Sequence, residues 1–122
     1  MNEYKYSEIT EKIIAAAYTV HNQLGYGFVE KVYKNSLLIE LTNSTLNCRA
    51  EVPMQVFYRN RLVGEFCADI VVDDKVVVEI KAVGKIDPAH EVQLVNYLKA
   101  SGISVGLLIN FGKSVEIRRK VF

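Results

Sequence analysis

The sequence has little cysteine, no long apolar run and almost no excess of charge, and each shortage narrows the class of protein. The two cysteines, Cys48 and Cys67, lie far apart and form no CxxC pair. A reduced, intracellular protein is the simplest interpretation, and a disulfide has no support in the pattern. No apolar run approaches the roughly 20 residues that a membrane-spanning helix needs. The sequence therefore gives no indication of a membrane partner.

The N-terminal segment favours the cytoplasm, and the charge balance does not identify a partner. The first residues, MNEYKYSEIT, are polar and do not resemble a signal peptide, so we expect a cytoplasmic protein. The formal net charge is +1. This value neither requires nor excludes nucleic acid, because a local basic patch forms equally well on a neutral protein.

The composition that is present is that of an ordinary globular protein. Of the 122 residues, 50% are apolar and 24% are charged. A chain of this length buries a core without disulfides or a structural metal. The sequence shows no linker, internal repeat or low-complexity segment, so we expect one domain that covers residues 1–122.

Hydrophobic periodicity predicts two helices and then a change of period. Apolar residues at helical spacing run from Ser7, a candidate N-cap, to Leu24. Gly25 and Gly27 break that helix, and a second helix is predicted over residues 28–42. The pattern then becomes strand-like over residues 50–58, 61–72 and 75–83, with turns at residues 59–61 and 73–74.

A third helix and two further strands complete the prediction. Asp87 is a good N-cap, Pro88 suits the first helical position, and Gly102 suits the position after the last. Strands follow over residues 103–110 and 114–121. The order α-α-β-β-β-α-β-β predicts an α/β (α+β) fold. Three strands joined by short turns should be antiparallel, and the crossover helix then makes the sheet mixed.

One predicted strand, VVVEIKAV at residues 76–83, carries an acid and a base inside an apolar run. Side chains alternate along a strand, so Glu79 and Lys81 share a face. The short turn before this strand places Asp69 near the register of Glu79. Burying such charges unpaired would cost several kcal/mol each. A structural salt bridge or a half-solvated sheet face would account for the patch.

The same three side chains also suit hydrolytic chemistry. Two carboxylates hold Mg²⁺, which prefers oxygen ligands and keeps several waters. A lysine beside a metal-bound water orients that water or stabilises the charge that develops on a phosphate. On these residues alone, the structural and the chemical interpretations both stay open.

A resemblance to a known family covers nearly the whole chain. Asp69 followed by Glu79-x-Lys81 resembles the active-site motif of the PD-(D/E)XK nuclease superfamily, with Ala68 in place of the proline. The segment GFVEKVY, residues 27–33, matches GxxExxY, which names a small bacterial and archaeal family assigned to that superfamily. HEVQLVNYL at residues 90–98 resembles the family's QxxxYL helix, and GLLINFG at residues 106–112 resembles its closing strand. Tyr26 is a departure, since many relatives have proline there.

The resemblance implies a restriction-endonuclease-like core, with a mixed central sheet flanked by helices. It also implies roles for five residues. Asp69, Glu79 and, directly or through water, Glu30 would bind Mg²⁺ or Mn²⁺. Lys81 would be the catalytic lysine, and Gln93 would line the site from the crossover helix. For Glu30 the competing interpretation is a favourable charge in the first helical turn.

Four further residues are weaker candidates for contacts with the substrate. Tyr33 and Tyr97 lie three or four residues from a site candidate on their helices, although packing explains both tyrosines. His21 precedes the glycine turn and Lys85 follows the charged strand, and each is also explained as an ordinary packed or surface side chain. The chain has no spaced zinc motif, dinucleotide fingerprint or catalytic triad in a supporting context.

Two functional hypotheses and one structural hypothesis follow. The first is a metal-dependent nuclease that hydrolyses phosphodiester bonds with a metal-activated water, DNA being the favoured substrate. The second is a catalytically inactive nucleic-acid-binding or assembly module on the same fold. In the third, the charged patch is a salt-bridge network and nothing more. The sequence leaves RNA as a substrate and homodimerisation open.

Overall fold

The computed structural model describes residues 5–122, and this part of the chain has the predicted order of elements. The bounds are α1 Ser7–Leu24, α2 Glu30–Asn43, β1 Cys48–Tyr58, β2 Arg61–Val72, β3 Val76–Lys81, α3 Pro88–Ser101, β4 Val105–Phe111 and β5 Val115–Val121. The order α-α-β-β-β-α-β-β is therefore confirmed.

The five strands form one mixed sheet in the order β1-β2-β3-β4-β5. Antiparallel pairing joins β1 to β2, β2 to β3 and β4 to β5, whereas β3 and β4 are parallel. The parallel pair arises because α3 carries the chain back to the edge of the sheet at which β3 began. At the β1–β2 turn, Arg59 and Asn60 have φ of 50° and 65°, the left-handed geometry that suits a two-residue hairpin.

Helices cover both faces of this sheet. On one face, α1 and α2 pack against the sheet in a core that includes Ile13, Leu37 and Ile109. On the other face, α3 contributes Leu94 and Leu98 to a second core. Neighbouring residues of β3 alternate between the two cores, which explains why a central strand can be apolar on both sides.

The start and end of α3 follow the sequence signals closely. Asp87 accepts a hydrogen bond from the Ala89 N–H at 2.8 Å, and the Asp87 N–H donates to His90 Nδ1 at 3.1 Å. Pro88 is the first helical residue, and Gly102 ends the helix with φ of 75°. The helix that connects β3 to β4 is therefore held at both ends by the residues that predicted it.

Several predicted boundaries are wrong by a few residues. Ser7 does not cap α1, because Tyr6 occupies the N-cap position with φ of 57° and no side chain caps the helix. The second helix begins at Glu30, two residues later than predicted, since Val29 still has extended backbone. The strand β3 ends at Lys81, so the last two residues of VVVEIKAV lie outside it.

No helix among residues 5–122 is long and apolar enough to cross a membrane.

Candidate active site

Asp69 and Glu79 form a reciprocal pair where the regular pairing of β2 with β3 ends. That pairing involves only Val76 to Val78 of β3. One step beyond it, the Asp69 N–H donates to Glu79 Oε1 at 3.1 Å, and the Ile80 N–H donates to Asp69 Oδ2 at 2.8 Å. The expected proximity of the two carboxyl groups is confirmed, and side-chain oxygens here replace the acceptors of the strand ladder.

The strand β2 is also released from β1 beside Asp69. Between Cys48 and Val56, every residue of β1 is paired with β2 except Glu51, which stands opposite Asp69 in the register. Glu51 has φ of 51°, a left-handed conformation that costs a non-glycine residue about 1–3 kcal/mol. Asp69 therefore lies at a position where β2 is not regularly paired with either β1 or β3. Its side chain is half-buried.

Glu79 is an unusual acid because it is buried beside another carboxyl group. The residue is 7% exposed. Burial in the first place, and then the charge of Asp69, raise the pKa of Glu79 to about 8. At neutral pH Glu79 consequently keeps its proton. A cation placed between the two carboxyl groups would favour the charged form and release that proton.

Lys81 ends β3 on the same face as Glu79. Its side chain is half-buried, and its positive charge opposes the rise in the pKa of Glu79. Four ion pairs occur within 4.0 Å in the described part of the chain, and Lys81 belongs to none of them. The salt-bridge interpretation of the patch therefore lacks the contact that it requires.

A cavity of about 320 Å³ lies between the start of α2 and the part of β2 that contains Asp69. Its lining residues are Glu30, Lys31, Lys34, Glu51, Asp69 and Ile80. Glu30 and Asp69 thus come to one cavity, with Glu30 exposed as the first residue of α2. Glu79 shares its face with Val77, which belongs to the core under α3.

This division between the two faces determines how the predicted ligands are arranged. Asp69 links the two faces of the sheet, because it lines the cavity next to α2 and is hydrogen-bonded to Glu79. Glu30 and Glu79 approach it from different sides. Across residues 5–122, no three histidine, cysteine, aspartate or glutamate side chains lie close enough together to hold a metal ion.

The residues predicted from α3 line a second, larger cavity. Gln93 and Tyr97 face a space of about 650 Å³ between α3 and the β1–β2 hairpin. Tyr97 stacks on Phe66 of β2, with ring centroids 4.0 Å apart. Burial, followed by the charges of Glu79 and Asp69, raises the pKa of Tyr97. That electrostatic influence places the tyrosine near the carboxyl pair on the α3 side.

The remaining candidates lie at separate places. The Tyr33 hydroxyl donates to the Gly25 carbonyl at 2.7 Å and accepts from the Phe28 N–H at 3.3 Å, so it holds the glycine turn before α2. His21 Nε2 is 2.8 Å from the Gly112 carbonyl oxygen, just beyond the end of β4. Lys85 is exposed in the connection between β3 and α3.

Comparison with known proteins decides the family. The family model described as PD-(D/E)XK nuclease superfamily matches residues 7–120. The chain belongs to that superfamily. A search of curated proteins gives no match. Among solved structures, the crystal structure of a protein named SSO0001 is similar, with 18% sequence identity and a TM-score of 0.61 over 75% of this chain. The chain spans about half of that protein, 48% of its length, and the likeness supports the fold.

The sequence did not predict two residues that lie near the superfamily motif, Lys34 and Asn110. Lys34 lies in the cavity beside Asp69, forms an ion pair with Glu51 at 3.2 Å, and has a side chain only 14% exposed. Its position four residues after Glu30, on the same helix face, was the available signal. Asn110 is fully buried next to Lys81 in the β3–β4 register, and no local pattern distinguishes it.

Members of the superfamily typically use divalent metal ions, and the oxygen donors of this chain suit one. One oxygen of each carboxyl group, Asp69 Oδ2 and Glu79 Oε1, accepts a backbone hydrogen bond. The two carboxyl groups also share a side-chain hydrogen bond, which further raises the pKa of Glu79. Oxygen donors of this kind are the ligands that Mg²⁺ and Mn²⁺ prefer.

Proposed function

We propose that this protein is a metal-dependent nuclease that hydrolyses phosphodiester bonds of nucleic acid, with DNA as the favoured substrate. The observation that carries the proposal is the reciprocal pair of Asp69 and Glu79, with Lys81 on the same face and in no ion pair with the residues that the structure describes. Family membership supports nuclease chemistry, and the segment at residues 27–33 supports placement in the GxxExxY group. We further propose a single cytoplasmic domain, which could act as a homodimer.

Asp69 and Glu79 would hold Mg²⁺ or Mn²⁺ through carboxyl oxygens, and the ion would replace the hydrogen bond that joins the two side chains. Glu30, across the cavity from Asp69, would reach the same ion through water. When bound, the ion would lower the pKa of a coordinated water and neutralise charge on the phosphate. The chain's own contribution is to fix two oxygen donors on adjacent strands, where the backbone hydrogen bonds keep them from rotating.

Lys81 is the proposed catalytic lysine. Its ammonium group lies two residues beyond Glu79 on the same face, so it can donate to the attacking water or to a phosphate oxygen. The half-buried position strengthens such interactions relative to bulk water. Gln93 would line the site from α3. Tyr97 and Lys85, and less directly Tyr33 and His21, would contact or support the substrate.

A second candidate function is nucleic-acid binding or assembly without catalysis. One observation favours it: in the described chain no three metal-ligating side chains converge. Under this hypothesis, nucleic acid binds equally well to the Lys81→Ala variant and dissociates as salt is raised, because phosphate contacts supply the affinity.

The direct experiment incubates the purified chain with end-labelled single- and double-stranded DNA and RNA, in EDTA, Mg²⁺ or Mn²⁺. We expect metal-dependent cleavage that falls about 10²–10³-fold in Lys81→Ala, the range typical for loss of one charge-stabilising donor. Lys12→Ala, on the exposed side of α1, is the matched control and should cleave like the wild type. Absence of metal-dependent cleavage, or equal cleavage by Lys81→Ala, would leave the binding module as the function.

A further inference from the structure

The larger of the two cavities described above has a lining that the proposed cleavage chemistry uses only in part, through Gln93 and Tyr97. It lies between α3 and the β1–β2 hairpin and has a volume of about 650 Å³. Three aromatic rings and three carboxamides line most of it, from Phe57, Phe66, Tyr97, Gln55, Gln93 and Asn96. Lys99 is the one charged residue that the described chain contributes to the lining.

The aromatic rings provide a flat, partly preformed surface. Phe66 and Tyr97 are already stacked, with 14° between their planes, and Phe57 also lines the cavity, with 58% of its surface exposed. A planar ligand that entered the cavity would cover the apolar surface of these rings. Exposed aromatic rings of this kind bind single-stranded nucleic acids by stacking on the bases.

The carboxamides define what the edge of such a planar ligand should carry. Gln93 and Asn96 lie three residues apart, so both point from the same face of α3 as Tyr97. Among the described residues neither amide has a hydrogen-bond partner, and Gln55 has only a 3.5 Å contact with Glu65. Carboxamides pair with the mixed donor and acceptor edges of nucleobases. Within residues 5–122, no carboxylate that would repel a polyanion belongs to the lining.

The position of the cavity relates it to the carboxyl pair. Phe66 precedes Asp69 by three residues on β2, which corresponds to about 10 Å of strand. Tyr97 is close enough to Asp69 and Glu79 for their charges to act on it. Since adjacent phosphates of one duplex strand are about 3.4 Å apart along the axis, a base in the cavity would lie within about three nucleotides of a phosphate at the carboxyl pair.

We propose that this cavity binds an unpaired nucleobase of the substrate strand, stacked on the aromatic rings and contacted at its edge by Asn96 and Gln55. The inference rests on the proposed nuclease function and deepens it, because it assigns single-stranded or locally opened nucleic acid as the preferred substrate. A paired base cannot enter the cavity without leaving its duplex, which costs unstacking energy.

The test measures binding without cleavage, by fluorescence anisotropy in EDTA. The probes are a fluorescein-labelled DNA single strand, an abasic strand of the same length and phosphate charge, and the matched duplex. The wild type should bind the normal strand about tenfold more tightly than the abasic strand, within the range measured for base–aromatic stacking. It should also bind the single strand more tightly than the duplex.

The variants Phe57→Ala and Asn96→Ala identify the cavity as the source of that preference. Both residues are exposed, so the variants should fold, which thermal unfolding would verify. Each should reduce the ratio of normal-strand to abasic-strand affinity, Phe57→Ala to near one. Tyr58→Ala is the matched control, because Tyr58 is an exposed aromatic of the same hairpin outside the cavity, and it should leave the ratio unchanged.

Three outcomes would overturn the inference. In the first, the wild type binds normal and abasic strands equally. In the second, Phe57→Ala leaves the ratio intact or Tyr58→Ala reduces it as much. In the third, sedimentation shows a dimer that Phe57→Ala dissociates without changing the ratio, which would assign the cavity to a second copy of the chain. Since the assay contains no cleavage step, an inactive protein with the expected ratio would refute the nuclease proposal alone.

Discussion

Asp69 and Glu79 accept hydrogen bonds from each other's strands, Glu79 Oε1 from the Asp69 N–H and Asp69 Oδ2 from the Ile80 N–H. The two carboxyl groups therefore join β2 to β3 where the regular backbone pairing stops. The same two groups form the candidate metal site. An alanine at either position would remove a structural acceptor together with a ligand. Amide replacements keep one oxygen as an acceptor, and they separate the two roles.

Glu79→Gln should change how stability depends on pH. In the folded wild type Glu79 keeps its proton up to about pH 8, whereas in the unfolded chain it releases the proton near pH 4.5. The free energy of unfolding contributed by Glu79 therefore falls as pH rises between these values, by at most about 1.4 kcal/mol per pH unit, and is constant above them. Urea denaturation at about pH 5 and about pH 8 should show this slope in the wild type and its loss in Glu79→Gln.

Glu11→Gln is the control for that experiment, because Glu11 is exposed on α1. It should retain the slope of the wild type. Identical slopes in wild type and Glu79→Gln would mean that Glu79 is ionised at neutral pH in the folded protein, contrary to its burial.

Mn²⁺ should stabilise the folded protein through Asp69. Ligand binding to the folded state alone adds about 2.7 kcal/mol at a hundredfold excess over Kd, which thermal unfolding detects. Because Glu79 is protonated at neutral pH, binding at pH 7 should also release close to one proton, measurable by calorimetry in two buffers of different ionisation enthalpy. The release should disappear above about pH 9.

Asp69→Asn should abolish the shift in melting temperature, and Asp74→Asn should not. Asp74 lies in the exposed β2–β3 turn, where its ion pair with Arg49 contributes little. A metal-induced shift that persists in Asp69→Asn would place the ion elsewhere.

The arrangement of Asp69 and Glu79 could be predicted because it depends on local rules. A strand alternates with a period of two, and a short β2–β3 connection allows few registers. These two facts are enough to place Asp69 opposite Glu79. The caps of α3 were predictable for the same reason, since Asp87 and Gly102 act within a few residues of their own positions.

The rest of the site depends on packing between distant parts of the chain. The sheet separates Glu30 from Glu79 because α2 and α3 cover its opposite faces. The left-handed backbone of Glu51 has no signal in the local sequence. Helical spacing indicated that Tyr33 and Glu30 share a face of α2. It did not indicate that the Tyr33 hydroxyl would bond to the glycine turn before α2. Tertiary contacts of this kind leave no periodic signal.

Tyr33→Phe should loosen the turn that precedes α2. The variant keeps the ring, which is stacked on Phe111 at 4.6 Å, but loses the hydroxyl that bonds the Gly25 carbonyl and the Phe28 N–H. We expect a loss of about 1–3 kcal/mol in the free energy of unfolding, the usual penalty for buried groups left without a partner. Hydrogen exchange at the Phe28 amide should accelerate.

Tyr18→Phe provides the comparison, because Tyr18 is 46% exposed on α1 and its change should be close to neutral. If Tyr33→Phe were equally neutral, water would be replacing the hydroxyl, and the turn would not depend on it. Any accompanying fall in cleavage would be traced to Glu30, the first residue of α2.

Asn110→Ala should release the segment that follows Lys81. The Asn110 carboxamide accepts from the Val83 N–H and donates to the Val83 carbonyl, both at 2.9 Å, and donates to Glu116 Oε1 at 2.9 Å. Alanine would leave the two Val83 groups without these partners, at a cost of about 1–3 kcal/mol in the free energy of unfolding. Because Lys81 is two residues away, cleavage should fall by more than the loss of folded protein accounts for.

The matched variant for Asn110→Ala is Glu116→Gln, which retains a side-chain oxygen for the Asn110 amide. It gives up only the surface contact with Arg118 at 3.9 Å, which is worth little. Urea denaturation and single-turnover cleavage should therefore leave Glu116→Gln close to wild type and place Asn110→Ala below it in both. Equal stability of the two variants would mean that β3 alone, rather than the bridge from Asn110 to Val83, determines the position of Lys81.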